Sequence, residues 1–432
     1  MHRASGEFRS KNTLGGDQVN RSTLNGGVKA AFRTATFAFG AFAMLAGPVA
    51  AQSGGTLKLG VTTDMSSAYA DLSGKGSVVA VQMAIDDFGG TVLGKKIEVI
   101  SADHQMKPSV GSTLVTEWFD RDGVSAVFGL AGSSVALAAQ AIVKERPKKA
   151  ILHTTALTSD LAGKACVPNA IHWAPDSYAL AASVTRHVTE QGAKTWYVMV
   201  QDTAAGPPAL AAASAGVTSA GGRVVGELRV PFNAGDVSSF VLQAQASKAQ
   251  MVAIGFGGAD FVNILKAAQQ FGLTQSGTRF ASLALFGPDI QAMGLPLAQG
   301  ITAVMPFYYD INDQAKAWAK RFQEKHGKEP GWGHIADYEA TMAYLQAVQR
   351  TGTDDASVVI PSMKAQTYNT FSLDGATIRD DMKLVRPMYL FKVKTPAQSK
   401  APGDFYDIIG KVAAKDAFSP VSASACPLVK KS

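Results

Sequence analysis

The residues best suited to chemistry lie in Phe128-Gly129-Leu130-Ala131-Gly132-Ser133-Ser134, a strand-like run that breaks at glycines and continues into a helical pattern. Glycines let a backbone come close to a ligand, and the hydroxyls of Ser133 and Ser134, with the first unpaired amides of the helix, are donors suited to a carboxylate. The same residue types also make an ordinary helix cap, because serine is favoured at that position. Aromatic side chains elsewhere could supply flat apolar area to a ring: Tyr69, Trp173, Phe256 and Trp332, with Tyr308 and Tyr309 as weaker candidates. Each fits a protein core equally well.

Catalytic constellations are not expected. The sequence has no Gly-x-x-x-x-Gly-Lys-Ser/Thr phosphate loop, no His-Glu-x-x-His, no Gly-x-Ser-x-Gly elbow and no Cys-x-x-Cys pair. The seven histidines are scattered, and neither His153 nor His172 has a second ligand at metal spacing. His104 beside Asp103 is the one polar pair that could act on a substrate, and its plainer reading is a loop-stabilising contact. Asp86-Asp87 reads as a solvated helix end. No metal, no cofactor and no enzymatic activity are therefore expected.

A length of 432 residues, with 47% hydrophobic and 17% charged residues, suggests two globular domains. The net charge of +7 does not point to nucleic acid. Six Lys/Arg against Glu7 and Asp17 fall within residues 1–51, and the rest carries 35 Lys/Arg against 32 Asp/Glu, or +3. No basic cluster with interleaved aromatics follows.

The N-terminal segment reads as a secretory leader. Lys29 and Arg33 precede an apolar run, Ala35 to Leu45, that ends in Gly47-Pro48-Val49-Ala50-Ala51, with cleavage expected after Ala51. The run is shorter than the roughly 20 residues a membrane span needs. No cysteine follows it, so a lipid-anchored start is not expected. Residues 1–27 are longer and more polar than a leader requires, which suggests a true start further along. Export to the periplasm favours pairing of Cys166 with Cys426, the alternative being two buried free thiols.

Past Gly54, short β-branched runs alternate with helical patterns, as in parallel α/β layers. Strands are expected at 56–62, 95–102, 126–130 and 150–155, with helices between them. Val81, Ala84, Ile85 and Phe88 give the first helix a single apolar face. After Pro175 the series restarts, with strands at 195–201, 224–230 and 251–255. Two long helical patterns, carrying Trp318 and Tyr344, follow 301–306 without a sheet of their own, and are assigned back to the first half. A strand at 388–393 is assigned to the second. The expected division is 1–51 as leader, 54–172 plus 306–386 as the first lobe, and 173–305 plus 387–432 as the second. Crossings near Trp173, Met305 and Pro387 form the hinge.

These segments together resemble the periplasmic leucine/isoleucine/valine-binding proteins, solute-binding proteins of ABC importers, over essentially the whole mature chain. The resemblance is carried by Leu59-Gly60-Val61-Thr62-Thr63-Asp64-Met65-Ser66, Ala84-Ile85-Asp86-Asp87-Phe88-Gly89-Gly90, Gly94 to Val99 with Ala102-Asp103-His104-Gln105, the serine turn, and Asp236-Val237-Ser238-Ser239-Phe240. It implies two Rossmann-like lobes joined by a three-crossing hinge, the type I fold. It also implies capture of a solute between the lobes and presentation to permease and ATPase subunits, with a monomer expected.

The resemblance further implies ligand contacts from Ser133, Ser134 and Thr155. Leu157 stands where amino-acid binders carry a threonine. The stretches Gly255 to Ala259 and Ser282 to Phe286, where those binders place groups for the ligand ammonium, contain no carboxylate, so a free amino acid fits only if Asp202 or Asp260 substitutes. Ala205-Gly206 replaces the family's tyrosine-glycine and opens space. The expected ligand is an aromatic or otherwise hydrophobic carboxylate. Its acid sits on the serine turn and its ring among Tyr69, Trp173 and Phe256. The alternatives are a branched-chain amino acid or amide, a sensory role for the same fold and, weakest, a hydrolase.

Overall fold

The computed structural model describes residues 54–430; the leader expected at 1–51 lies outside them. In the first half, β1 (Thr56–Thr63), β2 (Thr91–Val92), β3 (Lys95–Asp103), β4 (Val124–Gly129), β5 (Ala150–His153) and β6 (Ala170–His172) form one sheet in the order β2-β3-β1-β4-β5-β6. All neighbours are parallel except the short β2 hairpin. Parallel neighbours require crossovers, which α1 (Gly74–Phe88), α2 (Pro108–Asp120) and α3 (Ser133–Lys144) supply.

The second half opens with α4 (Ser177–Glu190) and repeats the plan through β7 (Thr195–Gln201), α5 (Gly206–Ser219), β8 (Arg223–Val230), α6 (Ser238–Ala246), β9 (Met251–Gly255), α7 (Ala259–Gln270), β10 (Arg279–Ser282), α8 (Gly287–Met293), α9 (Leu295–Ala298) and β11 (Thr302–Met305). The chain then returns to the first half. There α10 (Asp313–His326) and α11 (Trp332–Thr351) pack beside α1, and α12 (Ala356–Lys364) packs on α11. Three very short strands, β12 (Thr367–Tyr368), β13 (Ala376–Ile378) and β14 (Leu384–Val385), make a small antiparallel sheet. Finally β15 (Met388–Val393) and β16 (Tyr406–Val412) join the second sheet, whose order is β16-β15-β11-β10-β9-β7-β8.

Each sheet is covered on both faces. Leu59, Phe128, Leu152 and Tyr344 are buried on one side of the first sheet, and Val127, Ile151, Val135 and Ala139 on the other. In the second half α4 and α5 approach closely because Gly216 has no side chain: a Cβ there would lie 2.2 Å from Thr185 Oγ1 and 2.5 Å from the Ala182 carbonyl.

The three crossings meet at one buried ion pair. Glu339 of α11 faces Arg386, with Nη1 donating to Oε2 at 2.8 Å and both side chains almost fully buried. Trp173, at the first crossing, donates its indole N–H to the same carboxylate (3.1 Å). Arg386, at the third crossing, also donates to the carbonyl of Pro306 at the second (3.4 Å) and to that of Ser372 (2.5 Å). A second buried pair, Lys383 with Asp176, also ties the third crossing to the first, so two buried carboxylates pin the three-crossing joint.

The C-terminal segment departs from the expected division. After α13 (Ala414–Ala417) it leaves the second half, and Cys426 is buried in the first, bonded to Cys166 with Cα atoms 5.3 Å apart. Ser424 Oγ donates to Ala162 O (3.3 Å) beside it. A cross-link closing 260 residues of separation stabilises chiefly through the unfolded chain, typically by about 2–5 kcal/mol.

Candidate functional site

In an open parallel sheet, the crevice lies beyond the carboxyl ends of two strands whose crossovers leave in opposite directions. In the first sheet these strands are β1 and β4, and in the second β7 and β9. A cavity of about 170 Å³ opens where the two crevices face each other. Its walls are the loops those strands feed: Tyr69, Leu72 and Ser73 after β1, Ala131 to Val135 after β4, Thr203 and Ala205 after Gln201 of β7, and Phe256 and Gly257 after β9. The neighbouring strands add Met106, Thr155 to Leu157, Phe232, Ala284 and Phe286. None of the lining residues is charged.

The first-half wall is shaped by buried polar groups. Asp64, at the end of β1, accepts the amides of Ser66 (3.3 Å), Ser67 (2.9 Å) and Tyr69 (2.7 Å), folding the loop so that Tyr69 reaches across the cleft. Its hydroxyl donates to Gln201 Oε1 at 2.8 Å. Burial, then the fields of Asp260, Asp289 and Asp64, push that hydroxyl well above its ordinary pKa, so it stays protonated.

The serine turn begins at Gly129, whose φ of +87° and 2.8 Å approach of an added Cβ to the Thr62 carbonyl leave room only for glycine. Thr154 Oγ1 accepts the Gly129 amide (3.1 Å) and donates to Asp337, a buried residue of α11. α3 then starts after Gly132 with no side-chain cap, so its first amides, those of Ser133 and Ser134, remain for a guest. The other helix starts at the cavity differ. α5 and α7 also lack side-chain caps, but Gly206 of α5 gives its amide to the Thr203 carbonyl (3.0 Å) and is followed by two prolines without N–H groups, and no residue of α7 is on the wall.

Burial raises the Asp337 carboxyl to about 7. A raised native pKa means that the folded chain holds this proton where the unfolded chain, near 3.9, has lost it, so stability falls as pH rises from 4 to 7. Asp337→Asn removes that loss. Its unfolding free energy relative to the parent, from urea denaturation, is expected to improve by up to about 4 kcal/mol between pH 4 and pH 8. An offset independent of pH would contradict this.

The structure distributes the candidate residues unevenly. Tyr69, Ser133, Ser134, Thr155, Leu157 and Phe256 are on the cavity wall. The Thr155 hydroxyl is engaged by the Gly129 carbonyl (3.1 Å), and Ser133 Oγ accepts the Thr158 amide (3.2 Å). Trp173 is not on the wall: its ring is 1% exposed, packs edge-on against Tyr368 and serves the hinge, because its indole N–H needs the Glu339 acceptor. Trp332 is also off the wall, stacked on Phe286 at 5.2 Å, and supports that ring from behind. Tyr308 and Tyr309 lie beside a second, smaller cavity.

Asp202 is exposed near Arg229, and Asp260 lies behind Gln201. His104 is buried, its Nδ1 accepting the Met106 amide (3.1 Å), and Asp103 caps the loop by accepting the amides of Met65 (3.1 Å) and Gln105 (2.7 Å). His153 and His172 hydrogen-bond Gln140 and the Ala156 carbonyl, each at 2.8 Å. Met106 and Phe232 complete the wall without any sign in their local sequence pattern, Gln201 with only its polar place at the end of an apolar run, and Phe286 joins it from the stretch Ser282 to Phe286 that the family resemblance marks.

The sequence profile of the periplasmic binding proteins matches residues 56–401. The chain belongs to that family. A periplasmic binding protein from Burkholderia mallei is 37% identical, matched over 87% of this chain and 99% of its own, with a TM-score of 0.84. A branched-chain amino acid ABC transporter periplasmic ligand-binding protein from Burkholderia xenovorans LB400 is 38% identical over 86% and 99%, with a TM-score of 0.79. The fold is shared, at 24% identity over 84% and 98% and a TM-score of 0.76, by an ABC transporter solute-binding protein from Rhodopseudomonas palustris BisB5, solved with 3,4-dihydroxybenzoic acid. As a family member the chain is a type I periplasmic binding protein, and among its described residues no helix is long and apolar enough to cross a membrane.

Proposed function

We propose that this chain is the solute-binding component of an ABC-type importer, exported by its N-terminal leader, and that it captures a small aromatic carboxylate for permease and ATPase subunits. The observation that carries the reading is the chemistry of the cavity: an uncharged wall in which the first two residues of α3, Ser133 and Ser134, stand at a helix start without a side-chain cap. A carboxylate meets donors there, while Tyr69, Phe232, Phe256 and Phe286 supply ring area. The volume of about 170 Å³ matches one ring, since an apolar cavity of about 150 Å³ takes benzene.

An α-amino acid fits this wall less well. Its ammonium would be buried without a lining carboxylate, a cost that outweighs the gain from a small aliphatic side chain. The dihydroxybenzoate held by the Rhodopseudomonas protein supports the aromatic reading, and the name of the Burkholderia xenovorans protein supports the amino-acid alternative.

Titration of the ligand-stripped protein by calorimetry or intrinsic fluorescence separates them. 4-Hydroxybenzoate is expected to bind with micromolar or better affinity, and leucine at least about 100-fold more weakly, the equivalent of roughly 3 kcal/mol. Tight leucine binding would overturn the reading.

A further inference from the structure

The cavity wall contributed by the second half has a fixed hydrogen-bond polarity. Gln201, the last residue of β7, donates through Nε2 to Asp260 Oδ2 at 2.8 Å. The same carboxylate oxygen accepts the amide of Asn233 at 2.9 Å. With a backbone N–H already directed at it, Oδ2 is an acceptor, so the Gln201 atom facing it must be the NH₂ group. The carbonyl oxygen is thereby turned to the cleft, where it accepts the Tyr69 hydroxyl at 2.8 Å. Reversing the amide would set two acceptors against each other in a buried place, since Asp260 is 3% exposed. Asp260 itself is not on the cavity wall.

From this chain of contacts we infer that Asp260 is a positioning residue for specificity: through Gln201 it makes the second-half wall an acceptor, selecting carboxylates that also carry a hydrogen-bond donor, such as a ring hydroxyl. Gln201 Oε1 keeps one lone pair after receiving Tyr69, and Tyr69 Oη, having donated, can itself accept. The buried carboxylate of Asp260 stands behind this wall and opposes a second negative charge there. A guest is therefore oriented, with its acid toward Ser133 and Ser134 and its hydroxyl toward Tyr69 and Gln201. The inference rests on the aromatic-carboxylate reading and narrows it from any ring acid to hydroxylated ones.

The test compares ratios of affinity, because a loss of packing would weaken all ligands alike. Parent, Asp260→Leu and Gln201→Met proteins, each checked for folding by circular dichroism, are titrated with 4-hydroxybenzoate, benzoate and 4-methoxybenzoate. The parent is expected to prefer 4-hydroxybenzoate over benzoate by about tenfold, the value of one good buried hydrogen bond. In Gln201→Met the preference falls to within about threefold. In Asp260→Leu, which removes the acceptor that holds the Gln201 Nε2 and so lets the amide reverse, the preference falls likewise and 4-methoxybenzoate, which can only accept, gains relative to 4-hydroxybenzoate. A parent that binds benzoate and 4-hydroxybenzoate equally, or an Asp260→Leu protein that keeps the parental ratios, overturns the inference while leaving the functional reading intact. A parent that binds none of the three acids contradicts both.

Discussion

Changing Ser134 to Asp is expected to leave the protein at least as stable as before and to weaken carboxylate binding by more than about 100-fold. The two effects have opposite signs because they use the same partial charge. Ser134 lies in the first turn of α3, and its side chain is exposed at the mouth of the cavity. An acidic side chain in the first turn of a helix is stabilising by about 0.3–1 kcal/mol. It also occupies the free amides and places a negative charge beside the incoming acid, a like-charge contact that costs several kcal/mol. Thermal unfolding and ligand titration on one preparation check both halves of the expectation. Unimpaired binding would mean that the acid is held elsewhere.

Removing the hinge carboxylate should cost far more stability than any change in the cavity wall. Glu339→Ala leaves Arg386 buried without its counter-ion and strips the acceptor from the Trp173 indole. Breaking such a pair by deleting one partner typically destabilises by about 3–5 kcal/mol. Because the three crossings meet at this pair, the loss should also appear as a change in closure: the ligand-induced compaction seen by small-angle scattering should shrink or vanish. Replacement by Gln, which keeps one acceptor, should recover part of the stability. A Glu339→Ala protein of parental stability would show that the crossings are held by packing and by the Lys383–Asp176 pair, without this carboxylate.

Much of the fold is legible in the sequence because its signals are periodic. Strands such as β7 carry an unbroken apolar run, Trp196 to Val200, buried on both faces, and helices such as α1 show one apolar stripe at 3.6-residue spacing. Most of what escaped is too short to show a period: β6 has three residues, β10 four, and the β12 to β14 sheet is assembled from pieces of two or three, while β16, at seven, is an edge strand of mixed polar and apolar residues. The return of the C-terminal segment to the first half is a tertiary choice, fixed by the Cys166–Cys426 bond and the pocket around it, and no local pattern encodes it.

The site is legible where one segment makes it. Gly129 to Ser134 carries its own turn, its own glycines and its own helix start. Trp173 misleads because an aromatic at a crossing has the same look whether it faces a ligand or the hinge. Only the position of Glu339, far along the chain, decides. Gln201 and Phe286 become wall residues by closing the ends of distant strands. For Gln201, its polar character at the end of the buried run Trp196 to Val200 was the one available sign.

The most direct measurement is a crystal structure of the protein with 4-hydroxybenzoate. It should show the carboxylate oxygens within hydrogen-bond distance of the Ser133 and Ser134 amides and the ring enclosed by Tyr69, Phe256 and Phe286. A carboxylate bound on the Gln201 side, or a cleft left empty at saturating concentration, would contradict the account.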